Sequence, residues 1–176
     1  MKKVNPGIMI VAVILLILSV VPALAEEDTL ITMNHFKLTL PGSWVVDAEK
    51  GPDQLKYFKT KKGSPSGGYF MITQYEGMIT SGEDSSVTAF FLGLCSGFAD
   101  TANDKKEEHE ELEIDGNRGI LIEYTSSLGG QDLRFFVACT VSGQNGVLMV
   151  YVNPDLSVEE ARETFRSIVS TIDCTD

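Results

Sequence analysis

The sequence predicts an α+β fold, a mainly antiparallel β-sheet sandwiched by two amphipathic helices in three layers. Three observations carry that reading. Val87, Phe90, Phe91, Leu94, Cys95 and Phe98 recur at helical spacing, and so do Val158, Ala161, Phe165, Ile168, Val169 and Ile172. Short runs of β formers, cut by Gly, Pro, Asn and Asp, lie before and between these stripes. One such run, residues 147–152, has no polar member, so it needs cover on both faces of its sheet.

In chain order, residues 30–33 form a short strand that turns at Asn34-His35 into a second strand over residues 36–40. Phe36, Leu38 and Leu40 face one side there, and Lys37 and Thr39 the other. Pro41-Gly42-Ser43 turns the chain and delivers Trp44, the single tryptophan, followed by Val45 and Val46. Residues 55–58 and 69–75 read as a hairpin with a long lysine-bearing tip, a solvated loop by composition. The first helix follows, capped by Ser85 or Ser86, with Gly93 and Gly97 letting it lie close to its neighbours. Residues 104–111 are a charged stretch. From Leu112 to Ile114 a strand begins, turning at Asp115-Gly116-Asn117 into another that places Ile120, Ile122 and Tyr124 on one face. Residues 133–141 and 147–152 are the last two expected strands, joined by a turn over residues 142–146. Ser157, with Glu160 three residues on, makes a capping box for the final helix, which is expected to run to Ile172.

Upstream of all this, Met1-Lys2-Lys3, an apolar run over residues 8–18 and the ending Pro22-Ala23-Leu24-Ala25 have the three parts of a secretory signal peptide. The alternative is a retained membrane anchor, because residues 7–25 approach the length needed to span a bilayer. The expected organisation is therefore a leader over residues 1–25 and one α/β domain over residues 26–176, outside the cytoplasm. Association with a membrane is expected only if the anchor is retained. All 25 acidic residues and 12 of the 14 basic ones follow the leader, leaving the mature chain near −13. A surface that acidic repels phosphate backbones, so nucleic-acid binding is not expected.

The strand and turn over residues 36–44, the order of elements after them, and the ending over residues 153–172 resemble the PsbP-like α/β/α group. That group includes the extrinsic photosystem II protein PsbP and bacterial envelope relatives. The resemblance implies the fold and a binding or assembly role in place of catalysis. It transfers no functional residue, because no motif of the group's sites is matched here.

The chemistry-bearing residues point the same way. His35 sits in a tight turn and His109 in an acidic run, and neither stands at metal-ligand spacing. Gly93-Leu94-Cys95-Ser96-Gly97 has the spacing of a nucleophile elbow, but it lies within a helix stripe, where Cys95 reads as a buried thiol. No catalytic residue, metal site or cofactor is expected. Trp44, Phe91 and Phe165 are the expected structural anchors. A strand of about 20 Å and a returning helix of about 24 Å bring Cys174 back to the level of Cys139, so a Cys139–Cys174 disulfide is expected, with separate thiols as the alternative. The functional expectation is a secreted or envelope-associated, non-catalytic binding or assembly module with an extracytoplasmic protein partner. The alternatives are a small extracytoplasmic hydrolase with an unrecognised site and a carrier of a small apolar ligand.

Overall fold

A computed structural model describes residues 27–42, 44–50, 55–60, 68–77, 89, 93, 104–128 and 131–175; side chains at 46–50, 55–60, 104–109, 127–128 and 131 are left aside. Of the segment expected as the first helix only Ala89 and Gly93 are described, both helical, and no residue of its apolar stripe is. Phe91, Cys95 and the lysine-bearing tip lie outside the described residues. The hydrogen-bonded order of the strands gives two sheets. Strands β1 (Thr29–Thr32), β2 (Phe36–Leu40) and β10 (Asp173–Cys174) form a small sheet with β2 in the middle. The larger sheet runs β3 (Trp44–Lys50), β4 (Leu55–Thr60), β5 (Tyr69–Tyr75), β9 (Asn145–Val152), β8 (Gln131–Ser142), β7 (Asn117–Leu128), β6 (Asp104–Ile114). Every strand pair is antiparallel. Among the described residues one α-helix is defined in full, α1 (Val158–Val169). The fold is thus α+β and mostly antiparallel. The second helix of the expected sandwich falls outside the described residues apart from those two positions.

Two strand boundaries differ from the sequence reading. Residues 104–111 extend β6 as an edge strand, so the charged stretch is β structure. Its charge concealed the period of a strand, yet charge is a common device for keeping a sheet edge from pairing with another chain. β10 is two residues long and exists because it pairs with β2, Asp173 opposite Lys37 and Cys174 opposite Phe36. No local pattern of that length could reveal it. The tight turns obey local chemistry: Asp115 (φ 48°) and Gly116 (φ 73°) occupy the left-handed region that a two-residue hairpin turn of this kind requires.

The apolar residues divide by strand parity into two clusters. The larger one holds Phe36, Leu38 and Leu40 from β2, Phe70 and Ile72 from β5, Phe136 and Ala138 from β8, Met149 and Tyr151 from β9, and the stripe of α1. The small sheet and the helix therefore share one core against a single face of the large sheet. The opposite face carries Ile122, Tyr124, Val137, Cys139, Val141 and Leu148. β9 contributes to both, as its unbroken apolar run requires.

Helix α1 begins and ends as its residues dictate. Ser157 Oγ accepts from the Glu160 N–H at 3.3 Å, and Glu160 Oε2 accepts from the Ser157 N–H at 3.0 Å. The Ser157 hydroxyl donates to Glu160 Oε2 at 2.6 Å, and this bond, followed by the one from the Ser157 N–H, holds the Glu160 carboxyl below the usual carboxylate range. The helix ends at Ser170, sooner than the apolar period suggests, but Thr171 and Ile172 follow in turn geometry and Ile172 stays buried. Phe165 is fully buried and stacks on Tyr151 at 5.8 Å, with Phe136 at 6.1 Å. Val158, expected in the buried stripe, is 42% exposed. Gly93 is exposed too, with open space where a Cβ would stand.

Two arginines of α1 clamp it over β6 and β7. Arg162 grips Glu123 through Nε at 2.5 Å and Nη2 at 2.9 Å, and also pairs with Glu159. Glu123 is 4% exposed, while Glu110, the partner of Arg166, is solvated. A buried carboxylate that loses its fork, or a fork that loses its carboxylate, costs far more than a broken surface pair. Glu123→Ala is expected to lower stability by about 2 kcal/mol, because Arg162 keeps Glu159 as a partner. Glu110→Ala is expected to cost no more than about 0.5 kcal/mol. Urea denaturation of the two variants checks the ratio.

Candidate functional site

Where β9 ends, Asn153 and Pro154 stop the strand and the chain turns into α1. Asn153 is buried; its Oδ1 accepts from the Asp155 N–H at 3.0 Å, and its Nδ2 donates to the Tyr151 hydroxyl at 3.2 Å. Asparagine side chains stabilise turns of this kind by replacing a backbone acceptor. Burial raises the Tyr151 hydroxyl above the ordinary tyrosine range, and the hydrogen bond from Asn153 opposes that rise. The turn is therefore anchored to the core through the same tyrosine that seats the helix.

That rigid turn overhangs the beginning of β8 and leaves a groove of about 560 Å³. The groove is lined by Phe136 and Arg134 of β8, by the apolar Leu156, Val158 and Ala161, and by Asp132 and Asp155. A concavity of this size, with mixed lining and a few placed polar groups, is the usual form of a binding site. Arg134 Nη1 donates to the Thr125 hydroxyl at 3.0 Å, which positions its guanidinium across the β7–β8 pair. A smaller hollow of about 250 Å³ lies at the other end of α1, lined by Ile114, Asp115, Arg166 and Val169 among others.

The residues singled out from sequence lie elsewhere. Trp44 is 9% exposed, its indole N–H donates to the Pro41 carbonyl at 3.1 Å, and its ring meets Phe70 and Tyr151, each at 6.4 Å. A Cβ at Gly68 would come within 3.3 Å of that ring and 3.2 Å of Asn153 Nδ2, so the corner is closed by packing. His35 is held by its backbone, its N–H to Gln74 Oε1 at 3.0 Å and its carbonyl accepting from the Thr175 N–H at 3.0 Å. His109 sits in β6 opposite Ile122. Among the described residues no group of three or more His, Cys, Asp or Glu could hold a metal ion. Sequence reasoning missed the groove residues Arg134 and Val158, and Thr125, which bonds Arg134. A single arginine among strand residues carries no signal, and Val158 matched the buried stripe.

No protein-family model matches the sequence, and no curated protein matches it. Solved structures do match in fold. Cyanobacterial PsbP (CyanoP) from Synechocystis sp. PCC 6803 is 13% identical with a TM-score of 0.55, over 88% of this chain and 95% of that one. The Ran-binding protein Mog1p of Saccharomyces cerevisiae is 11% identical with a TM-score of 0.54, over 86% and 97%. LpqN of Mycobacterium tuberculosis, involved in cell envelope biogenesis, is 10% identical with a TM-score of 0.54, over 85% and 91%. A protein of Bacteroides thetaiotaomicron is 12% identical with a TM-score of 0.58 over 87% of this chain, which spans 50% of that protein's length. At such identities the likeness is one of fold, and the fold is PsbP-like.

Of the expected Cys139–Cys174 pair, each residue is a thiol in the structure. Cys139 lies in the cluster on one face of the large sheet, while Cys174 packs against the core cluster on the other. The Cys174 N–H donates to Asp115 Oδ2 at 2.8 Å. Burial, and then the Asp115 carboxylate, push the Cys174 thiol up to about 11. The thiolate is the reactive form, so iodoacetamide at pH 8 should label Cys174 in the folded protein about a hundredfold more slowly than an unperturbed thiol. Asp115→Asn should raise that rate. Non-reducing peptide mapping should recover Cys139 and Cys174 in separate peptides; a linked pair would contradict the faces assigned to them.

Proposed function

We propose that this chain of PsbP-like fold is a secreted or envelope-associated, non-catalytic binding or assembly module, and that it docks its partner at the groove beside the start of α1. The observation that carries the reading is the groove itself: a concavity of about 560 Å³ walled by a capped helix and an anchored turn. Rigid walls lose little entropy on binding, which favours recognition by a preformed surface. The extracytoplasmic placement rests on the leader pattern over residues 1–25. Among the described residues no helix is long and apolar enough to cross a membrane. The likeness to a Ran-binding protein and to a protein of cell envelope biogenesis supports a binding role on this scaffold. A carrier of an apolar ligand would need room between sheet and helix, where Phe136, Tyr151 and Phe165 are already in contact.

The test is cross-linked capture from an envelope fraction with the mature protein, in parallel with Val158→Trp. Val158 is half-exposed at the groove mouth, so the larger ring should obstruct docking without disturbing the core. One stoichiometric partner captured by the unaltered protein and lost with Val158→Trp is the expected outcome. Turnover of an envelope substrate by the purified protein would overturn the non-catalytic reading.

A further inference from the structure

The arginines of this acidic chain differ in one respect. Arg118 pairs with Glu111, Arg162 with Glu123 and Glu159, and Arg166 with Glu110. Arg134 bonds a neutral hydroxyl instead, that of Thr125, and it lines the groove. Among the described residues it is the arginine not answered by a glutamate. In a chain carrying 25 acidic residues against 14 basic ones, a guanidinium that lines a cavity and bonds a hydroxyl stands out. Arginine presents two parallel N–H donors that match a carboxylate, and a charge-assisted pair of that kind is stronger than a bond to a hydroxyl. The positive end of the helix dipole contributes little here, since Glu159 and Glu160 already occupy the first turn.

From this we infer that the groove binds the free carboxylate end of a peptide whose last side chain is apolar, with Arg134 as the carboxylate-binding residue. This rests on the docking reading above and names its ligand class. The surroundings narrow the chemistry. Asp132 and Asp155 line the same groove, so any anion there pairs with one cation against two like charges, and a dianion such as a phosphate is repelled twice as strongly as a carboxylate. Leu156 and Val158 offer apolar surface for one side chain next to the carboxylate, and Val158 is exposed although it is apolar. A cavity of about 560 Å³ holds a chain end of a few residues, not a folded domain. Thr125 acts as a positioning residue, keeping the guanidinium at the groove.

The experiment is a titration of the ¹⁵N-labelled mature protein with three probes: acetyl-Gly-Ala-Leu with a free carboxylate, the same peptide as its amide, and hexanoate. The free acid is expected to shift the backbone resonances of residues 132–134 and 153–158, and the amide to bind roughly ten- to a hundredfold more weakly. This comparison uses the unaltered protein, so it does not depend on a variant folding. Arg134→Gln should abolish the preference for acid over amide. Arg134→Lys, which keeps the charge and loses the fork, should retain only part of it. Hexanoate binding as well as the peptide acid would assign the site to any apolar monocarboxylate; hexanoate failing where the peptide acid binds would assign it to a chain end. Equal binding of acid and amide, no binding of either, or an unchanged preference in Arg134→Gln would each overturn the inference. A captured partner that is lost with Val158→Trp but kept with Arg134→Gln would overturn the carboxylate assignment while leaving the docking reading in place.

Discussion

Seating Phe165 against Tyr151 and Phe136 decides where α1 lies on the large sheet, and much else follows from that position. All three rings are buried, and each contributes on the order of 1.5–3 kcal/mol by leaving water. Once the helix is placed, its carboxyl end brings Thr171 to β2, where the hydroxyl accepts from the Thr39 N–H and donates to the Thr39 carbonyl. The chain then continues as β10 beside β2, so the small sheet is closed by the same packing. At the other end Tyr151 holds Asn153, Asn153 holds the turn, and the turn makes the overhang of the groove. Core packing and candidate site are thus joined through one tyrosine.

Electrostatics complements this packing without replacing it. The chain is strongly acidic, and most of its described arginines serve as bridges between elements. Arg162 lets a buried Glu123 persist on the face of β7 that the helix covers, which an unpaired carboxylate could not do. Arg166 repeats the link at the surface, where it is worth little to stability but restrains the helix against sliding along β6. The clamp and the aromatic stack act at different positions along α1, so the helix cannot rock about either alone. A groove formed at the end of a helix held in this way is preformed.

Much of the architecture was legible in the residues. The alternation in β2, the Asp115-Gly116 hairpin, the capping box at Ser157 and the double-faced β9 each rest on local chemistry, and each appears where that chemistry places it. Trp44 meets Phe70 and Phe165 stacks on Tyr151. The failures share a different character. β6 carries charge along its length because it is an edge, and β10 exists only through its partner. Each depends on what lies beside a residue in space.

By itself the sequence determined most of the described elements, their order, the two apolar faces of β9 and the acidity of the chain, because periodicity, turn propensity and charge are written into neighbouring residues. The tertiary structure alone decided which face of the sheet the helix covers, which carboxylate is buried beneath it and which arginine is left in the groove. The physical reason is that burial and ion pairing are set by contacts between distant residues: Glu123 meets Arg162 across 39 positions, and Arg134 meets Thr125 only because β7 and β8 pair in that register.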